Sequence, residues 1–563
     1  MSPTSQHPYR DNLDHDEEDI PFLAEQEHLQ DDGHSHSHPH TGDSSAKRHP
    51  PSTEAEGLVI NGAIRSRLMV TLFTMVLAVE VGFVMAGGPM TRIYEAIACR
   101  EHFAVFDPTK IGADGQVPEE ECKVTEVQSE IAAVTGYMEF FGGVLSVILA
   151  APYGLLADRY GRKKVLCFGI PGFILNCAML FVVMWWSDIF PLRAVWASCL
   201  TFLFGGGPVV TMAVIYTMMA DVTTEEERAV MFFRFGVASM AADFASSAAS
   251  SWLMTLNPWF PLLIGWGIVI LGTFMTVLLP ETKNAITPRS FEQPGEIQLG
   301  PLSSNGEPKL SISSEKVTED MNEDEHLDTP LEIRSRGVFG YLSALCRSYL
   351  RPYTFIFRHR SVLLLLSAFL VYRLSRGSSW FLVQYISARY SWTIAQANLL
   401  ISFKPALTIP LFIFVIPYIS KHVLRGMKSN MKDLTLARAS IVFLAVGTLG
   451  IALSSSVGLL IPSLIVQTCG SGFAYLARSL ITTLVKREET ARLFTVIEVL
   501  QAVGNVIASL SITTVFQIGL ELGGAWVGLA WMMTSTAFCL VGVAIWAFDL
   551  PVVKEDKEDD HGG

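Results

Sequence analysis

The sequence predicts an all-α membrane protein, with twelve transmembrane helices arranged as two six-helix bundles. Half of its 563 residues are hydrophobic, only 17% are charged, and its mean hydropathy is +0.37. The apolar residues fall into runs of about 20, the length that crosses a hydrocarbon core of about 30 Å at about 1.5 Å per residue. These runs form two groups of six around a long polar stretch, and Lys and Arg collect on alternate connections.

In chain order, residues 1–64 are rich in Asp, Glu, His and Pro and lack apolar periodicity, which predicts a disordered cytosolic tail. Without the basic-then-apolar pattern of a cleaved leader, the first span is expected to serve as its own insertion signal. The tail holds His34, His36, His38 and His40, a tract able to bind a soft divalent metal weakly; no metal site or cofactor is assigned. The spans read at about 68–90, 129–153, 165–186, 194–219, 229–254, 259–279, 361–386, 395–418, 438–457, 459–484, 491–516 and 523–548. Arg65 and Arg67, the cluster Arg159 to Lys164, Lys283 to Arg360, Lys421 to Arg438, and Lys486 with Arg487 fall on one side, so both tails are expected in the cytosol.

The domain reading is a tail over 1–64, a bundle over 65–280, a cytosolic linker over 281–358, a second bundle over 359–549 and an acidic tail over 550–563. Most of the acid behind the net charge of −13 lies in the tails and linker, which argues against a nucleic-acid partner. The halves echo each other where Asp221 to Ala229 enters the fifth span and Lys486 to Arg492 enters the eleventh, with Glu226 to Glu488 and Ala229 to Ala491 sharing one offset. Two parallel repeats related by an axis along the membrane normal are the architecture of an alternating-access carrier.

One cytosolic turn organises the chain, Gly154-Leu-Leu-Ala-Asp158-Arg159-Tyr-Gly161-Arg162-Lys163-Lys164. Its glycines allow close helix approach, Asp158 is placed to meet a helix N-terminus or a basic partner, and the cations stay in water. The stretch resembles the signature between the second and third helices of the major facilitator superfamily, and Leu279-Pro-Glu-Thr-Lys283 resembles that superfamily's ending of the sixth helix. Gly88 to Cys99 and Ala220 to Thr224 are similar to the branch containing proton-coupled folate transporters and their fungal relatives. Two departures stand out: the fifth span lacks the Gly-Pro pair of many drug/proton antiporters, and Arg193 has no glycine four residues later.

Charges inside the bilayer cost about 2.5–3.5 kcal/mol each at helix centre, so they mark partners or a wet pathway. Glu80, 13 residues past Arg67 and so about 20 Å into the membrane, is joined by Glu139 and Asp243 in the first half. The second half carries Arg373 and Arg376 on one face of the seventh span, and Lys404 in the eighth. Carboxylates can take a proton and arginine cannot, so the first three are candidates to carry protons and the last three to meet an anionic or oxygen-rich substrate. The bland alternative is a set of fixed pairs locking helices together. Asp158, Arg228, Arg234, Arg478 and Glu498 lie near the cytosolic interface and are assigned to a gate. Tyr94, Tyr216, Trp380, Tyr385 and Tyr475 either line the cavity or pack in cores and against lipid. Cys99 and Cys122 share the outer loop 91–128, facing an oxidising compartment, which predicts a disulfide.

No Ser/His/Asp, metal or nucleotide motif points to an enzyme. The resemblance implies a monomeric, proton-coupled carrier of a small organic solute in the cell membrane or, alternatively, the vacuolar membrane. Fungal members of this size often export secondary metabolites or toxic compounds. Uptake of an organic anion or vitamin is the second reading, and a nutrient sensor that signals without transport is the third.

Overall fold

The computed structural model describes residues 62–281 and 360–547, apart from 114, 222–224, 426, 428 and 483–489. Both tails, the His34–His40 tract and nearly all of the linker lie outside the described residues.

Among the described residues, twelve long helical elements follow one another. The first half comprises α1 (Gly62–Phe106), α2 (Thr125–Tyr160), α3 (Arg162–Trp185), a two-piece α4 (Leu192–Leu203 and Gly207–Asp221), α5 (Glu225–Met254) and α6 (Trp259–Phe274). The second half comprises α7 (Arg360–Trp380, continued by Leu382–Tyr390), α8 (Ile394–Pro410, continued through wider π turns to Val423) and α9 (Ser429–Leu453). It ends with α10 (Val457–Cys469 and Phe473–Thr482), α11 (Thr490–Leu522) and α12 (Leu529–Trp546). Ten of these, among the described residues, are long and apolar enough to cross a membrane, and α5 and α7 occupy the fifth and seventh places. The fold is the expected all-α membrane fold, without a strand among the described residues.

Two boundaries depart from the hydropathy reading. At 45 residues, α1 is about 68 Å long, more than twice a bilayer core, and it continues through residues expected in the outer loop. Its extension is held because Tyr94, Ile97, Cys99 and Phe103 bury themselves against α2, α3 and α4. Helix α2, expected over 129–153, runs on for 36 residues in all, past the bilayer at the cytosolic end. Burial against protein, rather than lipid, carries a helix past the membrane.

Within α1, Pro89 removes the donor that would pair with the Met85 carbonyl. Ser250 of α5 supplies it, its hydroxyl donating to that carbonyl at 2.7 Å. Gly82 and Gly265 bring α1 and α6 into backbone contact: a Cβ on Gly82 would lie 2.5 Å from the Gly265 carbonyl oxygen. Helix α4 breaks at Gly205-Gly206-Gly207, all at positive φ. Tyr153 bridges this break, its hydroxyl donating to the Leu203 carbonyl at 2.6 Å and accepting from the Gly205 N–H at 3.0 Å. Each half is packed around an outer and an inner apolar cluster. The outer cluster of the second half also takes in Ala132 of α2, so the two halves share a core near the outer surface.

Candidate functional site

The cytosolic turn is built around a carboxylate that sequence reasoning gave no role. Gly161 ends α2 at φ 104°, a left-handed geometry favouring glycine, and a Cβ there would collide with Glu281. The Glu281 carboxylate accepts from the Arg162 N–H at 2.9 Å and the Lys163 N–H at 3.2 Å, capping the first turn of α3. Glu281 follows the proline that ends the sixth span, so the two signature stretches resembling the superfamily meet in space. Asp158, expected at a helix N-terminus, has a side chain outside the described residues. Arg159 is exposed, its guanidinium 5.5 Å from the Tyr160 ring centre, and a Cβ on Gly154 would meet nothing within 4 Å. Arg234 is exposed, Arg478 is half-buried, and the side chains of Arg228 and Glu498 lie outside the described residues.

Two seams join the halves. In the first, α2 runs against α11: the Gln517 amide donates to the Ser129 carbonyl at 3.0 Å, and Gly136 and Gly143 face Thr513 and Val506. In the second, α5 runs against α8. Asn398, 7% exposed, donates to the Ser251 hydroxyl at 2.8 Å and to the Ser247 carbonyl at 3.3 Å, and the Phe244 and Phe403 rings lie 5.8 Å apart.

The expected membrane acids border these seams. Glu139 stands one turn from both Gly136 and Gly143, and Asp243 stands one turn from Ser247, so each shares the seam-facing flank of its helix. Glu80, half-buried, lies about 160° around α1 from Gly82, away from α6. It shares its flank with Gly87, where a Cβ would meet nothing within 4 Å. Lys404 donates to Gln467 at 3.0 Å, and Gln467 donates onward to Thr448 at 3.1 Å, a chain within the second half. Arg373 and Arg376 fall on α7, but their side chains lie outside the described residues.

At the outer end the halves meet through charges that the sequence reading passed over. Glu95, with no exposed side-chain surface, pairs with Lys123 at 2.7 Å and accepts from Gln128 at 2.8 Å. Lys123 reaches Glu119 at 3.3 Å, and Glu119 takes Arg92 at 3.0 Å. Across the interface, Lys123 donates to the Ser387 hydroxyl at 2.6 Å, Glu119 accepts from the Ile394 N–H at 2.7 Å, and Gln384 donates to the Gln128 carbonyl at 2.6 Å. Cys99 and Cys122 form a disulfide directly behind this cluster. The available sequence signal was the run Glu119-Glu-Glu-Cys122-Lys123, where charges bracket a cysteine expected to be bonded.

The hydrogen bonds between halves, among the described residues, all lie on the outer side. Among the described residues, the halves are therefore held together at the end expected to face outward. Tyr94 and Tyr385, considered for the cavity wall, are core residues instead: both are almost wholly buried, and Tyr385 donates to the Ile451 carbonyl at 2.9 Å. Tyr475 is exposed on α10, edge-on to Phe412, and the side chains of Tyr216 and Trp380 lie outside the described residues.

Residues 128–509 match the family model of the Major Facilitator Superfamily. An MFS-type transporter of Aspergillus flavus, aprT, is 38% identical over 87% of this chain and 89% of its own length. The MFS efflux pump atnC of Emericella nidulans is 28% identical over 89% and 92%. The efflux pump ustT of Aspergillus flavus is 28% identical over 77% and 79%. Among solved structures, a D-xylose-proton symporter superposes with a TM-score of 0.55 at 10% identity, over 87% of this chain and 98% of that one. The nucleoside transporter NupG reaches 0.52 at 14% identity, over 86% and 99%. Those likenesses show the fold.

Proposed function

The chain belongs to the major facilitator superfamily and is a multi-pass secondary transporter rather than an enzyme, and from that premise we propose that it exports a small organic compound from a fungal cell in exchange for protons. The export direction is supported by two relatives named as efflux pumps, each aligned over more than three quarters of both chains. The cell membrane follows as the seat of a pump that clears the cytosol, and the monomer as its working unit.

The position of Glu139 and Asp243 beside the two seams carries the proton reading. Both seams must part when the carrier opens outward, and the surroundings of these side chains change when they do. A carboxylate that is charged in one state and holds a proton in the other couples the proton gradient to that movement. Glu80, on the flank of α1 shared with Gly87, is the third proton carrier. Lys404, with Arg373 and Arg376 of α7, is assigned to cargo recognition, and Lys404 donates to Gln467.

Comparing metabolites inside and outside cells with and without the protein identifies the cargo: it accumulates inside when the carrier is missing. With that compound labelled, Glu80→Gln keeps exchange but loses the pH dependence of net export. Glu139→Gln and Asp243→Asn are tested in the same way. Unaltered pH dependence in all three amide variants would overturn proton coupling through these groups, and accumulation outside the deletion strain would overturn export.

A further inference from the structure

We propose that the short turn Glu119–Lys123 is the latch that holds the carrier shut on the outside, and that the Cys99–Cys122 disulfide pins this latch to α1. The turn belongs to the first half, yet its two charged ends grip the second. Glu119 accepts from the Ile394 N–H at 2.7 Å, at the first residue of α8, where the N-terminus already has its own cap from Thr393 and Gln396. A carboxylate from the other half at that point complements the positive end of α8. At the other end of the turn, Lys123 donates to the Ser387 hydroxyl at 2.6 Å. Neither bond survives if the halves separate at the outer surface.

The first half holds the latch in register. Lys123 is 8% exposed and takes Glu95 at 2.7 Å, while Arg92 takes Glu119 at 3.0 Å, so two carboxylates and two cations balance one another. Buried charge is tolerated only when paired in this way, which fixes the turn against α1 in either state of the carrier. Cys122 precedes Lys123 and is bonded to Cys99, one turn beyond Glu95 on α1. The disulfide therefore ties together the elements that supply Glu95 and Lys123. Among the described residues, the second half offers the turn a hydroxyl and a backbone N–H, neutral partners whose release leaves both charges still paired within the first half. The ion pairs within the first half hold the latch in place, and the bonds to the second half open.

The proposal rests on alternating access and not on the cargo or proton coupling, and its test reads conformation. Ser129→Cys places a near-isosteric reporter thiol on the outer α2–α11 seam; it replaces the hydroxyl that accepts from Gln517 at 3.2 Å and keeps the carbonyl that accepts at 3.0 Å, and every variant is compared in this same background. Full-length protein in intact cells is labelled with a membrane-impermeant maleimide, with the signal of the parent lacking this thiol subtracted. Ile189→Cys, an exposed outer site, serves as the delivery control. Ser387→Ala and Glu119→Gln each raise the labelling rate of the seam reporter at least threefold while the delivery control labels as before, and Ser387→Thr restores the slow rate. Cys99→Ser with Cys122→Ser raises it as much or more. If both latch variants label at the parental rate, the latch is overturned. If only the disulfide variant labels at the parental rate, the pin is overturned, and a rise in labelling of the delivery control as well reports general loosening and also counts against the proposal.

Discussion

The two seams reach the same closed state by opposite chemistry. Along α2–α11 the helices approach over Gly136 and Gly143, so the fit is set by the absence of side chains, with one amide, Gln517, reaching across to Ser129. Along α5–α8, Asn398 reaches two serines of α5 while two phenylalanines lean together. The glycine seam is shape-determined and intolerant of added volume. The asparagine seam is adaptable, because a lost hydrogen bond can be replaced by water as the halves part. A carrier must close tightly and open often, and the division assigns tight closure to one seam and easy opening to the other.

The sharpest way to break that comparison is to add volume at Gly136. Its Cβ position coincides with the Thr513 side chain, so Gly136→Val cannot keep the present approach of α2 to α11. Overpacking of this kind costs about 1–3 kcal/mol. With that cost borne by the outward-closed state alone, export should fall about fivefold or more in protein delivered normally to the membrane. Thr513→Gly in the same chain should recover part of it. Full export by Gly136→Val would show that the seam does not need its glycine.

A smaller effect is expected away from both seams. Among the described residues, Glu281 caps α3 within the first half, so Glu281→Gln should lower the melting temperature of the purified carrier without shifting its conformational equilibrium. A lost cap costs about 0.5–2 kcal/mol. Thermal unfolding and the labelling rate of the Ser129→Cys reporter separate the two consequences, and altered labelling would make the cap part of the gate.

The smallest effect is expected at Asn398. Side-chain hydrogen bonds between membrane helices average about 0.6 kcal/mol, so Asn398→Ala should change export by about threefold or less. A loss as large as that of Gly136→Val would abolish the distinction between the seams.

The sequence by itself determined the number and class of helices and the superfamily, and it set an expectation for their sidedness. Each rests on a local quantity: a run of apolar residues, a count of cations on a loop, a spacing of glycines and charges. It also placed Glu139 and Asp243 deep in the membrane, since depth is simply distance along a helix. Only the tertiary structure decided what each charge meets. Lys404 was expected to meet substrate, and among the described residues it donates to Gln467. Glu281 was read as part of a helix ending, and it caps a different helix. Glu95 falls within the stretch 91–128 expected to be an outer loop. It became the buried centre of the outer cluster because α1 continues past the bilayer, and that depended on Cys99 and Phe103 finding cover on neighbouring helices. Hydropathy measures transfer into lipid one segment at a time, whereas burial against another helix is a property of pairs, and no single stretch of sequence carries it.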